Sequence, residues 1–248
     1  MKVIRWIIGI TLLLVAAPFV ALYFMQDKLL YPGADAVDRF GTLSVSRPDV
    51  NLRGWILHPE ASDAIVVFGG NGMSLSRFAP HLADCTARAV YLLPYRGYEG
   101  QEGTPREKDM VADGIALMAE AVKHHPHVAI VGISIGTGIA TQVAAAYRPD
   151  RLVLVTPYDT MAHVGSDTFN GLPLGWLMHD RFDSAEAAAR LGSVPVYILQ
   201  ATKDKVIGAA RTEALVHALP QPPVSWERVP TGHNGMLRTR EFCDALRF

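Results

Sequence analysis

His127-Val128-Ala129-Ile130-Val131-Gly132-Ile133-Ser134-Ile135-Gly136-Thr137-Gly138 is the stretch on which the reading of the fold turns. An apolar, β-branched run stops at a glycine-flanked serine, and a small-residue helical pattern runs on from Gly136 to Tyr147. That pattern reads as strand, tight turn, helix, with Ser134 at the apex. The Gly-x-Ser-x-Gly spacing has a steric reason: a serine in a strained turn needs neighbours without bulk two residues to either side, so that strand and helix can close around it. Such a turn pushes the hydroxyl into solvent at the carboxyl edge of a sheet. The same letters also spell Gly-x-x-x-Gly-x-Gly, a dinucleotide-binding turn of one class of dehydrogenases. Glycines alone do not separate the two, so the flanking chain must.

Outward from this stretch, strand and helix signals alternate. Residues 40–58 alternate apolar and polar around Pro48-Asp49-Val50-Asn51, an antiparallel hairpin. Ala64 to Phe68 and Ala89 to Leu93 are short apolar runs of the kind buried on both faces. Helices are expected from about Ser74 to Arg88 and from Arg106 to His125. Downstream, Arg151 to Val155 and Val194 to Gln200 read as strands, Ala209 to Leu219 as a helix, Val224 to Val229 as a last strand and Leu237 to Leu246 as a closing helix. Tyr158 to Ser193 reads as a longer irregular insertion. The order predicts one α/β domain with a mostly parallel sheet and helices on both faces.

A serine at neutral pH needs a base, and the base needs an orienting carboxylate. In an open parallel sheet these collect at the carboxyl ends of strands. Asp204 follows the strand ending near Gln200, and His233 follows the last strand within Thr231-Gly232-His233-Asn234. The chain order Ser134, Asp204, His233 is the one this serine turn predicts. Asp159, Asp180 and Asp183 compete for the acid role, but only Asp204 directly follows a buried strand at the expected place. His124, His125 and His127 crowd a turn broken by Pro126 with no carboxylate, so a metal site is not expected there. His163 and His179 fall in the irregular insertion, near where a substrate would lie. For an oxyanion, the donors expected are the N–H of Ile135, which opens the helix after the serine, and one from Gly69-Gly70-Asn71-Gly72, with Asn71 first and Gly72 second. The dehydrogenase reading fails: its glycine turn belongs after a first strand, and no tyrosine here has a lysine four residues on.

With these residues in hand the chain resembles the α/β-hydrolase superfamily, and within it the membrane-anchored serine hydrolases related to bud-emergence proteins and protein depalmitoylases. The resemblance is carried by Asp27-Lys28-Leu29-Leu30-Tyr31-Pro32, Phe68-Gly69-Gly70-Asn71-Gly72, Tyr95-Arg96-Gly97-Tyr98-Glu99-Gly100, Gly132 to Gly136, Asp180-Arg181-Phe182-Asp183-Ser184, Asp204 and Gly232-His233-Asn234. Where that group usually has His-Gly-Asn this chain has Gly69-Gly70-Asn71, and Pro94 stands where it usually has Asp. The resemblance implies an α/β-hydrolase fold and ester or thioester cleavage through an acyl-enzyme, with lipid-like or acylated substrates. A peptidase or amidase of the same fold, or a catalytically silent membrane-tethered module, are the alternatives. No cofactor and no metal are expected.

From Trp6 to Met25 the chain is apolar, broken only by Gly9, Thr11 and Pro18. Twenty helical residues span about 30 Å, the thickness of a bilayer's hydrocarbon core. Val15-Ala16-Ala17 followed by Pro18 makes a poor cleavage site, so an uncleaved anchor over 1–29 is favoured over a removed signal peptide or a buried core helix. The domain expected over 30–248 then lies on the extracytoplasmic side, because Lys2 and Arg5 hold the N-terminus in the cytoplasm. The insertion over 158–193 is the only one large enough to cover the site. Its apolar residues Phe169, Leu172, Trp176 and Met178 are candidate substrate contacts, and packing of the insertion onto the sheet is the alternative for each.

Across 248 residues, 50% are hydrophobic and 19% charged, with a net charge of −1. That balance suits a globular protein with a good core and leaves no basic footprint for nucleic acid. Cys85 and Cys243 are the only cysteines. Two separate buried thiols are the favoured reading, with a single disulfide left open for an oxidising compartment. Oligomeric state is left open.

Overall fold

The structure is a computed structural model that describes residues 2–37, 39–169 and 171–248. Met1, in the expected anchor, and Asn170, in the expected cap, lie outside the described residues. Eight strands form one sheet: β1 (Leu43–Ser46), β2 (Asn51–Leu57), β3 (Asp63–Phe68), β4 (Ala89–Leu92), β5 (His127–Ile133), β6 (Arg151–Val155), β7 (Val196–Ala201) and β8 (Ser225–Val229). Their order is β1-β2-β4-β3-β5-β6-β7-β8. β1 and β2 are the expected hairpin, with Leu43 opposite Gly54, and β2 pairs antiparallel with β4. From β4 to β8 every pairing is parallel.

Parallel strands need crossovers, and the helices that make them cover both faces. α1 (Lys2–Leu30) precedes the sheet; α2 (Leu75–Cys85), α3 (Glu107–His124), α4 (Ile135–Tyr147), α5 (Met161–Thr168), α6 (Ser184–Ala188), α7 (Ala209–Ala218) and α8 (Arg240–Ala245) follow in turn. Alternation along β5 shows why its sequence is apolar throughout. Val128 and Ile130 join the layer containing Met110 and Leu117 of α3 and Ile139 of α4. Ala129, Val131 and Ile133 join the layer containing Leu82 of α2 and Phe242 of α8. Side chains of a strand point to opposite faces in turn, so a strand covered on both sides must be apolar at every position. This places β3, β5 and their loops at the middle of the molecule.

Three expectations change. The insertion over 158–193 is more ordered than an irregular loop. Thr160 caps α5 by accepting from the Ala162 N–H, a 3-10 turn covers Leu174–Trp176, and Asp183 caps α6 by accepting from the Glu186 N–H. Elements this short show little periodicity, and their caps satisfy the orphan donors that would otherwise leave them frayed. The closing helix is split: a 3-10 turn at Met236–Arg238 is separated from α8 by Thr239, whose hydroxyl accepts from the Phe242 N–H. Finally, Cys85 and Cys243 are not separate thiols but a disulfide between α2 and α8, with Cα atoms 4.7 Å apart. The two helices are already joined there by Thr86 Oγ1 donating to the Leu246 carbonyl and Arg247 Nε donating to the Cys85 carbonyl.

α1 is 29 residues of almost continuous apolar sequence with Pro18 inside it, and none of its residues is buried. It is long and apolar enough to cross a membrane. Its last turns hold the domain through polar contacts. Gln26 Oε1 accepts from the His179 N–H at 2.8 Å, Gln26 Nε2 donates to the Leu177 carbonyl, and Asp27 pairs with Arg106.

Candidate active site

Ser134 sits directly after β5 with φ 52° and ψ −120°. A non-glycine residue with positive φ is strained, and such strain is held only where the surroundings fix it. Here they do. The Ser134 N–H donates to the Val155 carbonyl at 2.9 Å, and its own carbonyl accepts from Thr137 N–H and Thr137 Oγ1. A Cβ on Gly132 would lie 2.6 Å from the Ala140 Cβ, and one on Gly136 would strike the carbonyl oxygens of Phe68 and Gly69. The glycines of the motif are thus required by contact, on one side with α4 and on the other with the end of β3.

Asp204 lies three residues beyond β7 and His233 four beyond β8. The β7–β8 ladder continues past both strands through Thr202 N–H to the Val229 carbonyl and Lys203 N–H to the Thr231 carbonyl. Those bonds bring the two loops together. His233 Nδ1 is 2.7 Å from Asp204 Oδ2, and His233 Nε2 is 2.9 Å from Ser134 Oγ. The other Asp204 oxygen accepts from the Val206 and Ile207 N–H groups at 2.8 and 2.9 Å. Burial alone would raise the Asp204 pKa, but the hydrogen bonds from His233 and from the two backbone N–H groups outweigh it and hold the carboxyl below its usual value. An ionised carboxylate only accepts, so His233 Nδ1 carries the proton and donates to Asp204. Nε2 is then the free lone pair, facing the Ser134 hydroxyl.

The competing acids are engaged elsewhere. Asp159 pairs with His163 and Arg211, Asp180 accepts from the Tyr31 hydroxyl at 2.8 Å, and Asp183 caps α6.

Gly70 lies against Ser134: a Cβ built there would be 3.6 Å from the Ser134 Cβ. The loop after β3 therefore runs over the nucleophile because β3 and β5 are neighbours. The residues that hold this loop were not singled out as functional by sequence reasoning. Tyr95 Oη donates to the Gly69 carbonyl at 2.8 Å, and Tyr98 Oη donates to Asn71 Oδ1 at 3.1 Å. Burial, opposed by backbone hydrogen bonds from Gly33 and Gly72, pushes the Tyr98 phenol up to about 12. Glu99, fully buried with φ 52°, accepts from the Leu75 and Ser76 N–H groups and the Ser74 hydroxyl, fixing the start of α2 just beyond the loop. Arg96, also buried, pairs with Asp113 of α3 at 2.6 and 2.8 Å and with Asp49 in the β1–β2 turn. The signal was visible in the sequence as Tyr95-Arg96-Gly97-Tyr98-Glu99-Gly100, but its partners are 17 to 47 residues away along the chain.

The cleft over Ser134 has a volume of about 840 Å³ and is bordered by Gly70, Asn71, Gly72, His81, His233 and Arg238 among others. Of the four candidate substrate contacts, Phe169 and Met178 line a second, apolar cavity of about 370 Å³ beside it. Trp176 instead packs on Phe19 of α1, ring centroids 6.2 Å apart, and Leu172 is exposed and lines neither space. The ligating atoms of His81, Cys85 and Cys243 lie within 4.8 Å of one another, but the two sulfurs are joined to each other.

No family model matches the chain. Among curated proteins it is 30% identical over 264 residues to the uncharacterized protein Rv2307c of Mycobacterium tuberculosis, covering 97% of this chain and 92% of that one. It is 26% identical to alpha/beta hydrolase domain-containing protein 17B of Xenopus laevis over 76% of this chain and 66% of that protein. It is 31% identical to the lysophosphatidylserine lipase ABHD12 of Danio rerio over 48% of this chain and 36% of that protein. Among solved structures, the Pyrococcus furiosus esterase Pf2001 superposes with a TM-score of 0.62 at 15% identity, over 84% of this chain and 91% of the esterase. With an eight-stranded, mostly parallel sheet and these relatives, the chain has the α/β-hydrolase fold and belongs to the α/β-hydrolase superfamily.

Proposed function

We propose that the protein is a serine hydrolase that cleaves ester or thioester bonds of acylated, lipid-like substrates by two acyl transfers. The observation that carries this is the unbroken chain Asp204–His233–Ser134, at 2.7 and 2.9 Å, with Ser134 in a strained turn facing a cleft. Ser134 Oγ attacks the substrate carbonyl and its proton passes to His233 Nε2; that proton then goes to the leaving alcohol or thiol as the acyl–oxygen or acyl–sulfur bond breaks. Water, deprotonated by His233, attacks the ester of Ser134, and the proton returns to Ser134 Oγ as the acid leaves. Asp204 keeps His233 in the tautomer that accepts from Ser134 and stabilises the imidazolium that forms.

The oxyanion is met by the N–H of Ile135, first residue of α4, whose donor has no partner inside the helix and whose helix end is electropositive. Asn71 N–H is the second donor. Gly72, one residue further along the same loop, is the other candidate. The lipid-like substrate rests on the apolar cavity beside the cleft, and the lipase among the relatives lends it support. A peptide substrate would leave that apolar space unused, and a silent interaction module would not need the aligned triad.

Residues 1–29 are the membrane anchor in this reading, residues 30–248 the catalytic domain and 158–193 its cap. The Cys85–Cys243 disulfide supports an extracytoplasmic domain, since disulfides persist in oxidising compartments. The test is turnover of p-nitrophenyl esters by the wild type and Ser134→Ala. A loss of roughly 10⁴-fold or more in kcat is expected, and an unchanged rate in the folded variant overturns the proposal.

A further inference from the structure

The two cavities share a border. Asn71 and Val206 border both the cleft over Ser134 and the apolar cavity beside it. One wall of that second cavity is α5, with Val164 and Gly165. The opposite wall is the end of the apolar helix α1, with Leu22, Leu29 and Leu30. Among the described residues no charged side chain lines it, and its polar side chains spend most of their hydrogen-bonding capacity on the protein itself. Gln26 bonds the backbone at Leu177 and His179, Thr168 Oγ1 donates to the Val164 carbonyl, and Asn71 Oδ1 accepts from Tyr98. A space whose walls are this apolar and offer so few free polar partners takes an apolar occupant.

We propose that this cavity seats the linear acyl chain of the substrate and that the anchor helix is itself part of the binding site, so that the chain passes from the bilayer along α1 to Ser134. The inference rests on the serine-hydrolase reading above. Its geometry follows from acyl transfer. The carbonyl oxygen lies on the Ile135 and Asn71 N–H groups, so the acyl chain leaves the carbonyl on the Asn71 side, where the second cavity opens. The leaving group then occupies the opposite end of the cleft, lined by the polar groups of His81, Asn234 and Arg238. A chain entering from the bilayer exchanges one apolar surrounding for another and never crosses water. α1 thereby acts as a guide as well as an anchor.

The test uses the full-length protein in phosphatidylcholine vesicles, with p-nitrophenyl palmitate and p-nitrophenyl butyrate as probes and the ratio of their kcat/KM values as the readout. Each added methylene that is buried is worth up to about fourfold, so the wild type should favour palmitate at least tenfold. Gly165 has room for a larger side chain: a Cβ there would meet only Met178 Sδ at 3.7 Å and Leu174 Cδ1 at 4.0 Å. Gly165→Phe fills the cavity from the cap side and Leu29→Trp from the anchor side. Each should lower the palmitate-to-butyrate ratio at least tenfold. A ratio unchanged within twofold in both variants overturns the seat, whatever their absolute rates. A wild type that cleaves butyrate but palmitate no better overturns the seat while leaving the serine-hydrolase reading standing. A wild type that cleaves neither ester brings down both.

Discussion

The two walls of the cleft over Ser134 are held by different physics. On the sheet side, Ser134, Asp204 and His233 each lie within four residues of the end of a parallel strand, and the turn at Ser134 is so closely packed that glycines 132 and 136 admit no Cβ. On the cap side, the 3-10 turn at Leu174–Trp176 and the residues after it meet α1 through side chains: Gln26 on the 177–179 backbone and Phe19 against a Trp176 that is 72% exposed. Asp27 of α1 pairs with Arg106 at the start of α3. Backbone hydrogen bonds and core packing fix the first wall; apart from the buried Tyr31–Asp180 bond, exposed or half-exposed pairs, each worth about 0–1 kcal/mol, hold the second. In the proposed reading the chemistry sits on the closely packed wall, and the choice of substrate where side chains can be exchanged without unfolding the protein.

That contrast can be broken at four points, in falling order of effect. Asp204→Asn leaves the sheet wall intact but favours the wrong His233 tautomer. It should lower kcat about 10⁴-fold while circular dichroism stays native; a loss below tenfold would remove Asp204 from its role. The same variant tests linkage. Because the folded-state Asp204 pKa is lowered, the folded protein binds fewer protons than the unfolded chain. Its contribution is complete above the unfolded value of about 3.9 and is lost as pH falls through the lower folded value. Urea midpoints of wild type and Asp204→Asn should therefore converge as pH drops from about 5 to about 3, and parallel curves would contradict the assignment.

Arg96→Ala takes the buried guanidinium from Asp113 beneath the Tyr95–Gly100 loop and leaves that carboxylate with Arg47 alone. Removing one partner of a buried pair costs about 3–5 kcal/mol, measured as a fall in urea midpoint, and ester turnover should drop as the loop over Ser134 loosens. Reducing the Cys85–Cys243 bond should cost about 2–4 kcal/mol, a fall of about 5–15 °C in Tm. Arg106→Gln, which releases Asp27 of α1, should change stability by less than about 1 kcal/mol. A large effect there would mean the cap wall is as rigid as the sheet wall.

The same division governs what could be read from the amino-acid sequence. Ser134 was legible because its turn is local: a β-branched run, glycines at fixed offsets and a small-residue helix lie within twenty residues. Asp204 and His233 were legible because parallel strands put their following loops on one edge, which turns chain order into position. The parallel sheet and its helices followed from the alternation of elements. The loop supports were not, since Tyr95, Arg96, Tyr98 and Glu99 act through partners that are distant in the chain. Nor was the disulfide, whose cysteines are 158 residues apart and meet only because α2 and α8 share a face. In the insertion, Thr160 and Asp183 are residue types that cap helices, but the helices they start are eight and five residues long, too short for periodicity to reveal. Trp176 shows a further limit: its ring neighbour is Phe19 of α1, a partner far off in the chain that local pattern does not reveal.

The central claim is that Ser134 is the nucleophile, activated by His233. Reaction of the full-length protein with a fluorophosphonate, followed by digestion and mass spectrometry, tests it most directly. One phosphonate adduct should form, on the peptide containing Ser134, and it should be lost in His233→Ala as well as in Ser134→Ala. A folded wild type that takes up no probe, or an adduct on any other residue, would contradict the account.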